Sequence, residues 1–429
     1  MEHSRAIESV GIVGLGYVGL PLAVAFSGAG LPVVGVDSDE RKVVSLENGA
    51  SYIEDIPDEA VRTATSGGRF VATTDYSRLR EVEAVLICLP TPLNENREPD
   101  LSILVSGIES VARNLRENAL VVLESTTYPG TTREVLLPIL EREGRRAGRD
   151  FHLAFSPERV DPGNRKYTLK NTPKVVGGIT GECVLRAEAL YSRVSDEIHA
   201  VSSPESAEMS KLLENVFRGV NIALVNELAI LCDRMGVDVW EVIEAASTKP
   251  FGFMSFYPGP GLGGHCIPVD PFYLSWRARA YDMNAEFIEL AGRVNVNMPY
   301  HALGRIASAL NSEEKAVKGS RILLLGMSYK PNVGDIRESP SLKILDLLLE
   351  SGARAVYHDP YVPDLPKRKL SSVEITRRAL ESADCVVIAT DHASVDLELV
   401  VEAASKVVDL RNAVRKRLGG RLPANVEVL

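Results

Sequence analysis

The sequence predicts an α/β protein: two doubly wound parallel sheets joined by a central helical region that holds one long helix. Three observations carry the prediction. Short apolar runs alternate with helical patterns in the first part of the chain and again in the last, the signature of sheets covered on both faces. Between them, from Ser203 to Arg279, apolar residues recur at helical spacing. A glycine-rich turn joins the first strand to the first helix. The expected domains are 1–202, 203–312 and 313–429, with the charged stretch from Asn311 to Ser320 as the linker into the last.

In the first domain, Ser9 to Val13 is an apolar strand that runs into Gly14-Leu15-Gly16-Tyr17-Val18-Gly19 and a helix ending near Gly28. A second strand, Pro32 to Val36, closes on Asp37. Strand, GxGxxG, helix, strand and acidic residue in that order form the Rossmann dinucleotide pattern. Gly14 permits the tight turn, Gly16 lets a pyrophosphate approach the backbone, and Gly19 lets helix and strand pack closely. Phosphates then sit at the helix N-terminus beside Tyr17 and Val18, and Asp37 accepts from a ribose hydroxyl, which favours NAD over NADP. A glycine turn serving packing alone is the plainer alternative; the complete context favours the cofactor.

Three further strands end in polar residues. Ala84 to Leu89 leads to Thr91, Leu120 to Glu124 leads to Thr127, and Phe151 to Phe155 leads to Glu158 and Arg159. Ligands of parallel sheets bind beyond the carboxyl ends of the strands. Each polar residue can instead cap the helix that follows; three at successive strand ends favour a shared crevice. Cys88, inside a buried strand, reads as a small core residue.

The helical region starts after Ser203, and Met209 to Cys232 forms an apolar-striped helix. Lys211 and Asn215, four apart, share a face of it. Lys211 alone reads most plainly as a solvated lysine, whereas an amide in an apolar stripe needs partners. The stripe suggests a homodimer interface, with Cys232 packing on it. Pro258 to Pro271 holds four glycines and four prolines in fourteen residues, so it is a shaped loop where backbone approaches a ligand. Cys266 lies inside it, and Asp270 follows four residues later. A Cys266–His265 dyad is set aside, because adjacent loop residues seldom point at one atom.

The last domain repeats the alternation with strands Arg321 to Leu325, Ala355 to His358, Cys385 to Ala389 and Lys406 to Leu410. Ser339 and Pro340 read as the N-cap and first residue of a helix. The turn after its first strand lacks GxGxxG, so no second dinucleotide is expected. Lys330 and Arg337 in that turn either bind phosphate or sugar oxygens or are surface charges near a helix start.

A net charge of −10 argues against nucleic acid or an acidic membrane surface as partner. No apolar run approaches the roughly 18 to 20 residues of a membrane span. The N-terminus runs straight into a strand with no signal peptide, and five widely spaced cysteines without a CxxC pair read as a reduced, cytoplasmic chain with no metal site.

Seven blocks, GLGYVGLPLA, CLPTP, STTYPGTT, SPER, SKLLENVFRGVNIALVNE, GPGLGGHCIPVDP and SYKPNVGDIRESPS, in this order and over essentially the whole chain, resemble the UDP-glucose/GDP-mannose dehydrogenase family. SPERVDPGN and PFGFMSFYPGPGLGGHCIPVDPFYLSW resemble its branch that oxidises UDP-N-acetylhexosamines, above all UDP-N-acetylglucosamine; UDP-N-acetylmannosamine and UDP-glucose remain alternatives. The resemblance implies oxidation of the sugar C6 alcohol to a carboxylate with two NAD⁺, for polysaccharide biosynthesis. It implies Cys266 as nucleophile, through a thiohemiacetal and a thioester, and Lys211 with Asn215 as stabilisers of negative charge on oxygen. Asp270 and Thr127 would hold a catalytic water, and Glu158 would act in thioester hydrolysis. Lys42 would lie near the adenosine ribose and Thr91 at the cofactor. Arg159, Tyr257 to Gly263 (with Gly261), Lys330 and Arg337 would contact the UDP-sugar, and the long helix would form a homodimer. Two other classes compete. A non-catalytic NAD-binding regulatory protein would not need the intact polar set, and a two-electron hydroxyacid dehydrogenase would have no use for a loop cysteine.

Overall fold

A computed structural model describes residues 7–94, 96–160, 164, 166–264, 267–420 and 422–429. They fall into two compact units, one built from the chain up to Glu214 with Phe272–Met283, the other from Asn215–Pro271 with Asn284–Leu429. The division falls within one continuous helix, Pro204–Met235.

The first unit is built on eight strands: β1 (Val10–Val13), β2 (Val33–Val36), β3 (Phe70–Thr73), β4 (Ala84–Ile87), β5 (Leu120–Leu123), β6 (His152–Phe155), β7 (Lys174–Gly178) and β8 (Ile198–Val201). Their order is β3-β2-β1-β4-β5-β6-β7-β8. Alternate residues feed two cores: Val10, Ile12, Leu86 and Val122 face one layer of helices, Val85, Ile87, Val121 and Leu123 the other. Burial on both faces is why these strands are continuous runs of aliphatic residues. Register levels the strand ends. Val13 pairs with Val36 and Ile87, Ile87 with Leu123, and Leu123 with Phe155. The residues that follow, Gly14, Asp37, Cys88, Glu124 and Ser156, therefore line one edge. β7 runs antiparallel to β6, pairing Gly177 with Phe155, so its first residue, Lys174, lies at that same edge.

The second unit holds β9 (Arg321–Leu325), β10 (Arg354–His358), the short antiparallel pair β11 (Asp364–Leu365) and β12 (Leu370–Ser371), β13 (Cys385–Ile388), β14 (Val407–Asp409) and β15 (Val426–Val428). The main sheet is parallel throughout, in the order β10-β9-β13-β14-β15. Helices Val239–Ser247 and Glu286–Asn311 belong to this unit. The two doubly wound sheets and the helical region match the predicted fold class.

Local signals mostly act as read. Ser203 caps the long helix by accepting from the Ser206 N–H at 3.2 Å. Ser339 does not: it is the N-cap residue before Pro340, but its side chain makes no capping bond. The absence of a membrane-length apolar run also needs correcting. The helix Pro204–Met235 contains a window of mean hydropathy 1.3 over a length sufficient for a span. Scattered polar residues hid it from a search for unbroken apolar runs. Among those residues, Asn215 and Asn226 are buried.

Candidate functional site

At the carboxyl edge of the first sheet the three turn glycines have three different surroundings. Gly14 has φ +93°, and a Cβ there would lie 2.6 Å from the Cys88 carbonyl oxygen. A Cβ on Gly19 would lie 1.9 Å from the Gly14 carbonyl oxygen, while one on Gly16 would meet nothing within 4 Å. The first two positions exclude a side chain for the sake of the turn and the packing; Gly16 keeps backbone accessible. The helix Gly19–Gly28 starts after Val18 with no side-chain cap and no acidic residue in its first turn, which leaves its N-terminus to an anion. Tyr17 beside it is exposed. These residues fit the pyrophosphate of NAD.

Asp37 is more engaged than its role as a ribose acceptor required. Its Oδ2 accepts from the Leu15 N–H at 2.9 Å and pairs with Lys42 Nζ at 2.8 Å, and its Oδ1 accepts from the Asp39 N–H at 2.9 Å. Two lone pairs per oxygen still leave one for a hydroxyl. Thr91 caps no helix: its hydroxyl donates to the Thr126 carbonyl at 2.7 Å, tying the end of β4 to that of β5. Its own carbonyl accepts from the Tyr273 hydroxyl. Cys88 is not a core residue inside the strand: it follows β4, is half-buried and packs against the core from the edge, where desolvation pushes its thiol up.

Further along the edge, Thr127 is buried, and its hydroxyl has no partner among the described residues. Glu158 Oε1 accepts from the N–H groups of Arg159 at 2.8 Å and Val160 at 2.6 Å. Its Oε2 lies 3.5 Å from Lys174 Nζ. Burial pushes Glu158 up, but Lys174, the Val160 N–H and Lys211 outweigh it and leave the carboxyl below its usual range. Lys211 is 9% exposed, so the plainer reading of a solvated lysine fails. Arg159 does not stand free at the edge: it pairs with Glu214 at 2.7 Å and donates to the Pro173 carbonyl at 2.7 Å. Sequence reasoning missed Lys174, Glu124 and Tyr191, which form a buried cluster behind Glu158. The available signals were an acid closing an apolar strand and a lysine opening one.

In the second unit, Asn215 is buried and its Nδ2 donates to Asp270 Oδ2 at 2.5 Å, the partner that its apolar surroundings demanded. The glycine–proline loop is anchored by two buried amides that the sequence reading passed over. The Gly259 N–H donates to Asn226 Oδ1 at 2.9 Å, Asn226 Nδ2 to Asn295 Oδ1 at 2.9 Å, and Asn295 Nδ2 to the Gly219 carbonyl at 3.1 Å. Pro299 inside the helix Glu286–Asn311 frees the Asn295 carbonyl, and Gly261, at φ +131°, packs where a Cβ would come within 3.2 Å of it. A Cβ on Gly263 would lie 2.4 Å from that of Tyr329, and the Gly264 N–H donates to the Arg337 carbonyl at 3.0 Å. The loop thus lies against the 329–340 segment. Cys266 and His265 lie outside the described residues.

Of the expected substrate contacts here, Tyr257 stacks on Trp240 at 5.8 Å, with Lys416 beside both rings. Arg337 forms a bidentate pair with Asp335, its Nη2 at 2.6 Å, and Lys330 lies 5.8 Å from the Tyr329 ring. Arg337 is exposed and Lys330 half-buried, so each keeps a surface-charge character beside these local contacts. Arg411, unremarked in the sequence, donates from Nε to the Ala389 carbonyl at 2.9 Å, and its Nη1 is 2.8 Å from where a Gly259 Cβ would be. Burial lowers Arg411 to about 10.

Three matched segments span most of the chain. Residues 8–195 match the NAD binding domain of the UDP-glucose/GDP-mannose dehydrogenase family, 205–297 its central domain, and 323–416 its UDP binding domain. A UDP-N-acetyl-D-glucosamine 6-dehydrogenase of Pseudomonas aeruginosa is 37% identical, over 82% of this chain and 83% of its own. A UDP-N-acetyl-D-mannosamine dehydrogenase of Yersinia pestis is 36% identical, over 90% and 94%. The solved structure of a UDP-D-ManNAc dehydrogenase from Pyrococcus horikoshii superposes with a TM-score of 0.88 at 34% identity, covering 98% of each chain.

Proposed function

The chain belongs to the UDP-glucose/GDP-mannose dehydrogenase family and is an NAD-dependent oxidoreductase, and on that premise we propose that it oxidises C6 of a UDP-N-acetylhexosamine, UDP-N-acetylglucosamine first, to the uronic acid. The primary alcohol, two NAD⁺ and one water give the carboxylate, two NADH and three protons. The observation that carries the reading is the 2.5 Å bond from Asn215 to Asp270, which ties the amide of the long helix to the carboxylate four residues after Cys266. NAD⁺, when bound, accepts the hydride at each oxidation. Asp270 takes up the alcohol proton through a water, and Lys211 and Asn215 stabilise the negative oxygen. Cys266 Sγ adds to the aldehyde carbon as a thiohemiacetal, which loses hydride to become a thioester. Glu158 draws a proton from the water that cleaves the thioester, and the thiolate leaves.

UDP-N-acetylmannosamine is the second reading, favoured by the names of the Yersinia and Pyrococcus relatives. A panel of nucleotide sugars tests both: the highest kcat/KM identifies the sugar, and two NADH per sugar are expected. One NADH per sugar overturns the four-electron course, and no turnover with any sugar supports a regulatory protein instead. Cys266→Ser is expected to cut acid formation at least about a thousandfold; acid at the normal rate excludes the thioester route.

The assembly that fits is a homodimer. Leu213, Phe217, Leu224, Leu228, Leu231 and Met235 form one stripe of the long helix, exposed by 39 to 64%. Arg218 and Glu227, both exposed within the apolar stretch of this helix, make a membrane span a costly alternative. An identical helix offers a matching apolar stripe. Sedimentation should give a dimer for the wild type and a monomer for Leu224→Glu; a monomeric wild type, or one that partitions into lipid vesicles, overturns this.

A further inference from the structure

Behind Glu158, three side chains are sealed from solvent. The Lys174 side chain is 3% exposed and that of Glu124 0%. Tyr191, the last residue of the helix Gly181–Tyr191, is equally buried. Lys174 Nζ lies 2.7 Å from Glu124 Oε2, 3.1 Å from the Pro157 carbonyl and 3.5 Å from Glu158 Oε2. Two of the ammonium's donors are hydrogen-bonded, to Glu124 and to the Pro157 carbonyl, and Glu158 is reached as an ion pair. Glu124 is occupied at both oxygens, by Lys174 and by the Tyr191 hydroxyl, and the Tyr191 ring flanks the ammonium at 5.1 Å.

A lysine between two carboxylates deep in a fold carries a large desolvation cost. The sheet goes out of its way to supply it, because β7 brings Lys174 to this edge only by running against its neighbour β6. Packing does not require a charge there; an aliphatic residue would fill the space. Of the two carboxylates only Glu158, 18% exposed, reaches outward. We propose that Lys174, locked by Glu124 and Tyr191, is a positioning residue that holds Glu158 in one orientation for its work on the substrate. The proposal rests on the reading that Glu158 acts in the reaction. The charged groups acting on it are Lys174 from β7, Glu124 from the end of β5 and Lys211 from the long helix; Cys88, at the end of β4, acts on Lys174. The field of the two lysines keeps Glu158 unprotonated and its acceptor oxygen aimed, where burial alone would protonate it.

The test is the pH dependence of acid formation. Glu158→Gln addresses the underlying reading: loss of acid supports it, and acid at the wild-type rate sinks it and this proposal together. Lys174→Met with Glu124→Gln removes the ion pair as a pair, which avoids stranding a buried charge. This double variant is expected to move the acid limb of kcat up by about two pH units and to cut acid formation at pH 5 about tenfold. KM for NAD⁺ should not change, and Lys174→Arg should keep the wild-type limb. A folded double variant with the wild-type profile overturns the positioning role while the function reading stands. The wild-type chain gives a test that does not depend on any variant folding well. In protein labelled with ¹³C-glutamate, the resonance missing from Glu158→Gln should titrate below the usual 4.5; a midpoint above it overturns the proposal.

Discussion

The first turns of the two doubly wound sheets share a plan and differ in what fills it. Each strand ends in a left-handed glycine, Gly14 at φ +93° and Gly326 at +91°. Each glycine is pressed against the end of a neighbouring strand, Gly14 by the Cys88 carbonyl and Gly326 by Thr390. In each, an aspartate closing the second strand accepts from the turn: Asp37 from the Leu15 N–H, Asp359 from the N–H groups of Met327 and Ser328. From there they part. After Gly14 the helix starts at once, and Gly16 leaves its approach open. After Gly326 the corresponding position is Ser328, whose hydroxyl turns inward to Asp359 at 3.1 Å, and the 326–339 segment intervenes before the helix. His392 completes that end: the Asn332 N–H donates to its Nδ1, so Nε2 carries the proton to Asp359. The same turn leaves room for a cofactor where side chains are withheld, and becomes a scaffold for a longer loop where they are supplied.

The glycines should separate these uses most strongly. Gly19→Ala puts a methyl where no space exists and is expected to cost about 3 kcal/mol or more, and Gly326→Ala should also lower the melting temperature because its backbone is left-handed. Gly16→Ala should leave stability within about 0.5 kcal/mol yet raise the NAD Kd tenfold or more. Thermal unfolding beside NAD titration reads all three; a Gly16→Ala protein with normal affinity breaks the comparison.

A smaller effect is expected at the paired aspartates. Asp37→Asn should weaken NAD and, by releasing Lys42, improve NADP binding, with little loss of stability. Asp359→Asn should cost about 1–3 kcal/mol and leave cofactor preference alone. Burial pushes Asp359 up, but His392 and the N–H groups of Met327 and Tyr361 hold it at about 2, below its usual 3.8. Its charged form therefore supports the fold above pH 4, and that support is lost as pH falls from 4 to 2. Acid unfolding of Asp359→Asn should lack that segment of the curve; an unchanged curve would show that the carboxylate is not a stabilising acceptor.

The strands and their ends were legible because a sheet buried on both faces needs unbroken aliphatic runs, and because polar residues such as Thr127 and Glu158 can only follow them. Asn215 was legible through the cost of an unpartnered amide. Lys211 read as solvated from its spacing alone and as a site residue only through the resemblance, since its burial depends on packing that no helical spacing reports. Lys174 was invisible for a topological reason: only the reversal of β7 brings it beside Glu124, 50 residues earlier. Asn226 and Asn295, 69 residues apart, gave no local sign of meeting.

Those two asparagines give the glycine–proline loop a polarity. The Gly259 N–H can only donate and the Gly219 carbonyl can only accept, so each amide between them must point its oxygen toward Gly259 and its nitrogen toward Gly219. An aspartate at either position has the right size but offers no donor, and one link of the chain would fall silent. The seating of the loop that carries Cys266 is thus written in two interchangeable-looking atoms, an oxygen and a nitrogen, whose order cannot be exchanged.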